Sequence, residues 1–102
     1  MKSGRKDSIS PSQYVVIANI SNDTPVEMRM YLEMLGKEVI LSSGHSVELL
    51  AQPSNHLLPI TVRFVQGGLQ IHPHKEFDLD WHVRFKGKLI RAGHPTVLAE
   101  HE

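Results

Sequence analysis

The sequence predicts an all-β domain, built as an antiparallel β-sandwich of about seven short strands. Apolar and polar residues alternate along several runs, most clearly over residues 26–34. A period of two places alternate side chains on opposite faces of a strand, whereas a helix would scatter them around its circumference. Turn-forming Gly, Pro, Ser and Asn residues separate these runs at short intervals. Because no run repeats with a helical period, we expect two sheets packed face to face, as in an immunoglobulin-like sandwich or a small barrel.

The first two predicted strands cover residues 14–20 and 26–34, and a turn at 21–25 joins them. The first strand is apolar on both faces, which is typical of a strand that is covered on both sides or lies at an interface. The second strand carries apolar side chains at its even positions, which are Val26, Met28, Met30, Leu32 and Met34. The same stretch has good helix propensity, so a helix is the alternative that the periodicity disfavours.

Two further strands are predicted at residues 38–42 and 45–51. The connections at 35–37 and 42–44 each contain a glycine and are short enough to be hairpin turns. Consecutive hairpins of this kind predict an antiparallel meander through the first half of the chain.

The sequence pattern of the second half of the chain predicts a hairpin and then a longer strand. Gly67-Gly68 is a strong two-residue turn signal between strands at 58–66 and 69–74. The strand at 58–66 directs one row of side chains to the core: Leu58, Ile60, Val62 and Phe64. The strand at 80–86 directs another: Trp81, Val83 and Phe85. Gly87 or Lys88 predicts a bulge before a last short apolar pair.

Length and composition predict one domain with short tails. A chain of 102 residues buries roughly two thirds of its unfolded surface around a single core. Residues 1–12 are polar and carry no periodic apolar face, so we expect a flexible N-terminal tail there. The β-sandwich domain is predicted to span residues 13–92, and residues 93–102 are predicted to form a C-terminal tail.

Charge and cysteine content exclude several classes of function. Lys plus Arg equals Asp plus Glu at 11 each, so no long-range field favours nucleic acid or an anionic membrane. The absence of cysteine excludes disulfides, thiolate metal sites and cysteine nucleophiles. The N-terminal segment is positively charged without an apolar stretch behind it, which does not match a secretory signal. We therefore expect a cytoplasmic protein, although an exported one that has lost its signal is also compatible with these features.

Part of the first half resembles a pattern in small uncharacterised bacterial β-sandwich proteins. The resemblance is carried by residues 19–21, 31–41 and 44–48. Those proteins show a Leu-Glu-Pro-Trp-Gly turn, a strand and a Pro-Gly-Glu turn. Met34 and Leu35 stand here in place of the Pro-Trp pair, and Ser43 stands in place of the second proline. The resemblance implies a sandwich without an assigned activity and supplies no catalytic residue.

A histidine-rich stretch is the sharpest chemical feature of the sequence. If residues 69–86 form a hairpin centred near Phe77, four side chains converge on one face: His72, His74, Asp80 and His82. Three imidazoles and a carboxylate in such an arrangement suit zinc or copper(II). The alternative interpretation is an exposed polar face on an edge hairpin, where Pro73 blocks further strand addition.

The doubly apolar first strand predicts an interaction surface. If Val15 and Ile17 fill the core, the opposite face of the strand is left over for a second layer: Tyr14, Val16, Ala18 and Ile20. Another subunit is one such layer, so a homodimer through the first strand is predicted.

The overall functional prediction is a small non-catalytic binding or assembly module that recognises a protein partner or itself. No Gly-x-Ser-x-Gly elbow or phosphate-binding loop is present in the sequence. Two alternatives remain open at this point. One is a metal-binding protein that uses the histidine cluster, and the other is a structural component of a phage or a secretion apparatus.

Overall fold

Two β-sheets make up the computed structural model, which describes residues 13–33, 36–75 and 78–102. The predicted all-β sandwich is confirmed. The strands within the described residues are β1 (Val15–Ser21), β2 (Met28–Leu32), β3 (Lys37–Leu41), β4 (Ser46–Ala51), β5 (Thr61–Val65), β6 (Gly68–His72), β7 (His82–Phe85), β8 (Lys88–Arg91) and β9 (Thr96–Val97). A short 3₁₀ helix follows at Leu98–His101. Among the residues described, no helix has the length and apolar character needed to cross a membrane.

The strand order differs from the predicted meander. One sheet has the order β1-β4-β7-β8 and the other has the order β5-β6-β2-β3-β9. Of the consecutive strand pairs that the meander predicts, only β2–β3 forms. β1 pairs with β4 instead, and the turn at 42–44 carries the chain from one sheet to the other. β2 pairs with β6, and β3 with β9, in parallel. Alternation along a strand identifies its faces but not its neighbours, which is why the meander prediction is wrong.

The core lies between the two sheets and follows the predicted alternation. Met30 and Leu32 of β2 are buried, as predicted for their face. The predicted row on the strand after residue 80 is also buried: Trp81, Val83 and Phe85. The Trp81 indole Nε1 donates a hydrogen bond to the Glu33 carbonyl oxygen at 2.8 Å, so its one polar atom has a partner inside the packed region.

The β5–β6 hairpin is present, but three residues of its predicted core row are exposed, and only Ile60 packs against the core. Val65 pairs with Gly68, so the two-residue turn is Gln66-Gly67. Val62 pairs with Ile71, and Phe64 pairs with Leu69, which places both β5 side chains on the same sheet face as the fully buried Ile71. Phe64 is nevertheless 86 % exposed and Val62 is 45 % exposed. The correct face was therefore predicted for Phe64, but the predicted burial is wrong.

Two further predictions, for the segment at 87–88 and for the C-terminal residues, differ from the structure. The expected bulge at Gly87 or Lys88 is wrong, because Phe85 pairs with Lys88 and the chain reverses in a tight turn whose two residues have φ values of 50° and 80°. Residues 93–102, predicted as a tail, contain β9 and the 3₁₀ helix, and Leu98 is fully buried. The predicted tail at 1–12 lies outside the described residues, as do Met34 and Phe77.

Candidate protein-interaction site

The structure does not form the predicted histidine hairpin. His72 lies in β6 opposite Thr61, whereas His82 lies in β7 between Leu50 and Arg91. β6 and β7 belong to different sheets, because the segment between them crosses the sandwich and does not fold back as a turn. Within residues 13–33, 36–75 and 78–102, no three histidine, aspartate or glutamate side chains are grouped closely enough to hold a metal ion. The convergence of His72, His74, Asp80 and His82 that motivated a zinc or copper site is thus absent.

Asp80 and His82 belong instead to a polar cluster at the start of β1. The Tyr14 hydroxyl donates a hydrogen bond to Asp80 Oδ2 at 2.5 Å, and Arg91 Nε donates one to Asp80 Oδ1 at 2.9 Å. The Tyr14 and His82 rings pack with their centroids 4.4 Å apart. His82 Nδ1 donates to the Asp80 carbonyl oxygen at 2.7 Å. These contacts connect Tyr14, at the start of β1, to the loop before β7 and to β8. The cluster therefore has a structural role.

The same contacts displace two pKa values. Burial and the hydrogen bond to Asp80 together raise the pKa of the Tyr14 phenol to about 12. Burial acts to raise the pKa of Asp80, but hydrogen bonds donated by Tyr14 and Arg91 outweigh burial, and the pKa lies below its usual range. The neutral phenol and the ionised carboxylate are therefore the forms that the folded chain favours.

Replacing Tyr14 with phenylalanine is expected to lower the free energy of unfolding at neutral pH and to make it depend less on pH in the alkaline range. The raised pKa of Tyr14 contributes stability below pH ~10, which is lost as the pH rises to about 12. The variant should lose about 1 kcal/mol of unfolding free energy at neutral pH, since the hydrogen bond is partly exposed to solvent. Urea unfolding at about pH 8 and about pH 11 measures both effects. Equal losses between the two pH values in wild type and variant would contradict this assignment.

The predicted interaction face of β1 is divided by a bulge. The register with β4 shifts between Val16 and Ala18. Tyr14 and Val16 consequently lie on the outer side of the sheet, whereas Ala18 and Ile20 pack against the core. The four residues Tyr14, Val16, Ala18 and Ile20 do not share one surface, because the extra residue of a bulge reverses the alternation after it.

An open apolar edge lies between β1 and β5 in the part of the chain that the structure describes. We define this open edge by five residues: Ile20, Met28, Val62, Phe64 and Leu69. All of these residues except Val62 line a cleft of about 220 Å³. The cleft is also lined by Met30, Leu41 and four polar residues: Ser21, Asn22, Thr24 and Arg29. The four-stranded sheet ends at β1. It does not extend over Phe64 of the opposite sheet, so this side chain remains exposed. The sequence pattern shows that Val62 and Phe64 share a face, but no sequence signal marks where the opposite sheet ends.

Comparisons with known proteins give no further guidance. No protein-family model, curated protein or solved structure matches this chain. The resemblance of the first half to small bacterial β-sandwich proteins therefore stays a prediction.

Proposed function

We propose that this chain is a small non-catalytic binding or assembly module and that the open edge is its surface for a protein partner. The observation that carries the proposal is Phe64, a phenylalanine that stands 86 % exposed on the core-facing side of a sheet. Contact with a partner would remove this apolar surface from water, which stabilises a complex by about 25 cal/mol for each Å² buried.

Exposed apolar side chains are concentrated in and around the same strand, β5. Seven large apolar residues of the described chain are exposed, and four of them lie in β5 or in the segment just before it: Leu58, Val62, Phe64 and Val65. Concentrated apolar exposure is typical of interaction sites, whereas single exposed apolar residues are ordinary. Arg63 is the only charged residue of β5, which favours a protein surface over a polyanion as the partner.

Selection from a library of random linear peptides tests this proposal. We expect the purified chain to enrich peptides with alternating apolar residues, because an extended peptide can place such a row beside Val62 and Phe64. Binding of the enriched peptides should fall at least about tenfold in the variant Phe64→Ser, which loses one aromatic contact. Fluorescence anisotropy of labelled peptides measures the loss.

Val16→Ser is the matched control. Val16 is also exposed and apolar, at 46 %, but it lies on the outer side of β1. The proposal predicts that this variant binds the selected peptides like wild type. Peptides that depend on Val16 and not on Phe64, or a library that yields no binder, would contradict it.

If the purified chain forms assemblies larger than a dimer through the surface around Phe64, we infer that it is a structural component of a phage or a secretion apparatus. Light scattering on the purified chain distinguishes this from a simple binding module.

A further inference from the structure

We propose that the partner at the open edge is a second copy of this chain, whose β5 pairs antiparallel with β5 about a two-fold axis at Val62. The inference rests on the proposed function, because it names the protein that occupies the same surface. Four features of the described residues support it: the direction of the backbone groups in β5, the state of the other edge strands, the match of β5 to itself, and the charge of the chain.

The backbone of β5 presents hydrogen-bonding groups at the free edge of the sheet. The Gly67 and Ile71 carbonyl oxygens accept hydrogen bonds from Arg29 and Glu33 at 3.0 Å each, so they face β2. Because these groups alternate along a strand, Gly68, Gln70 and His72 turn theirs toward β5. Their partners there are Val65, Arg63 and Thr61. The N–H and C=O groups of Val62 and Phe64 therefore point away from β6, to the edge where another strand would pair.

The other edge strands of the described chain carry features that oppose strand addition. β1 contains the bulge between Val16 and Ala18, which interrupts its row of hydrogen-bonding groups. β8 begins and ends with a basic residue, and β9 is only two residues long. Bulges, charges and short length are the usual protections of an edge. β5 has five residues in unbroken register and a single charge, so it is the least protected edge.

The sequence of β5 complements itself about Val62. In that register Val62 lies opposite Val62 of the second copy, and Phe64 lies opposite Ile60, so apolar residues meet apolar residues. About six backbone hydrogen bonds would form across the two-fold axis. Centring the axis on Arg63 would instead place two guanidinium groups opposite each other, which is unfavourable. Centring it on Phe64 would place Val62 opposite Gln66 in the turn and shorten the contact.

The charge of the chain does not oppose self-association. Its formal net charge is zero at neutral pH, so two copies approach without long-range repulsion. In the Val62 register, Arg63 lies opposite Thr61 and remains on the solvent-facing side of the sheet. An isologous contact of this kind closes after two copies, because each β5 has one free edge.

Disulfide trapping tests the register directly. The chain contains no cysteine, so Val62→Cys introduces a single thiol. Opposed residues in a hydrogen-bonded antiparallel pair have Cα atoms about 5.5 Å apart, which is within the range of a disulfide. We expect covalent dimer to form at least about tenfold faster for Val62→Cys than for the control Val16→Cys, because the dimer holds the two thiols together. Equal rates, or faster trapping at Val16, would overturn the proposal.

Sedimentation velocity supplies the second test. Val62→Pro removes an N–H group that faces only the free edge, so it should leave the β5–β6 pairing in place and weaken the dimer at least about tenfold. Phe64→Ser should weaken the dimer to a similar extent. This variant still tests the proposal if the strand does not accept proline at residue 62. A wild-type chain that stays monomeric at millimolar concentration overturns the proposal, as does a dimer that neither variant weakens. If the chain is monomeric while selected peptides still require Phe64, only this inference fails. If the peptides also fail to bind, the proposed function fails with it.

Discussion

Replacing Gly68 with alanine is expected to lower the free energy of unfolding by about 3–4 kcal/mol. A Cβ atom at this position would lie 1.8 Å from the Arg29 carbonyl oxygen and 2.8 Å from its carbonyl carbon. Both are backbone atoms of β2 and cannot rotate aside, so the parallel β2–β6 pairing must open at this end. Urea unfolding followed by Trp81 fluorescence measures the loss, because that indole is buried in the core.

Gly67→Ala is the matched control for this prediction. Gly67 has φ of +83°, but a Cβ atom there would meet nothing within 4 Å. The cost should therefore be limited to the left-handed conformation, about 1 kcal/mol. If the Gly67 variant is destabilised as much as the Gly68 variant, the close approach of Gly68 to β2 is not the cause of the effect.

Replacing Asn22 with alanine is expected to cost about 3 kcal/mol of unfolding free energy. The Asn22 side chain is buried, with 4 % of the residue exposed, and its amide nitrogen donates to the carbonyl oxygens of Val26 and Leu41 at 2.9 Å each. Its Oδ1 atom accepts hydrogen bonds from the Thr24 amide and hydroxyl groups. Alanine would leave these groups without their partner, and the Leu41 bond that joins the end of β1 to the other sheet would be lost.

Thermal and urea unfolding measure the effect of this substitution. Asn55→Ala is the control, because Asn55 is exposed in the loop between β4 and β5, and it should change stability by less than about 0.5 kcal/mol. Asn22→Asp retains the Oδ1 acceptor but loses both donated bonds, so it should fall near the alanine variant. Stability close to wild type in Asn22→Asp would contradict the role of the two donated bonds.

The strands and most of the core could be predicted because alternation depends only on local sequence. Met30, Leu32, Val83 and Phe85 are buried as their positions in the pattern predict. The turn before Gly68 was also predictable, since Gly67 supplies the positive φ value that this connection requires.

Strand pairing could not be predicted in the same way. A short turn such as 42–44 is compatible with a hairpin and with a crossing between sheets, and here the chain crosses. The β2–β6 and β3–β9 pairs join strands that are distant in sequence and parallel, so no local turn signals them. Such pairings depend on the sum of core contacts rather than on any one segment.

The candidate site could not be predicted correctly, because its prediction depended on which strands are neighbours. The histidine cluster required β6 and β7 to be neighbours, and the predicted face of β1 required an unbroken alternation that the bulge at residues 16–18 reverses. Phe64 was placed on the correct face, but its exposure depends on the width of the opposite sheet. That width is a property of the assembled sandwich and has no local signature.

Amide hydrogen exchange at increasing protein concentration tests the open edge most directly. We predict that the amides of Val62 and Phe64 exchange rapidly in dilute solution and become protected as the concentration rises from micromolar to millimolar. The amides of Arg63 and Val65, which pair with β6, should be protected at every concentration and serve as the internal reference. Exchange at Val62 and Phe64 that does not change with concentration would contradict pairing between two copies at this edge.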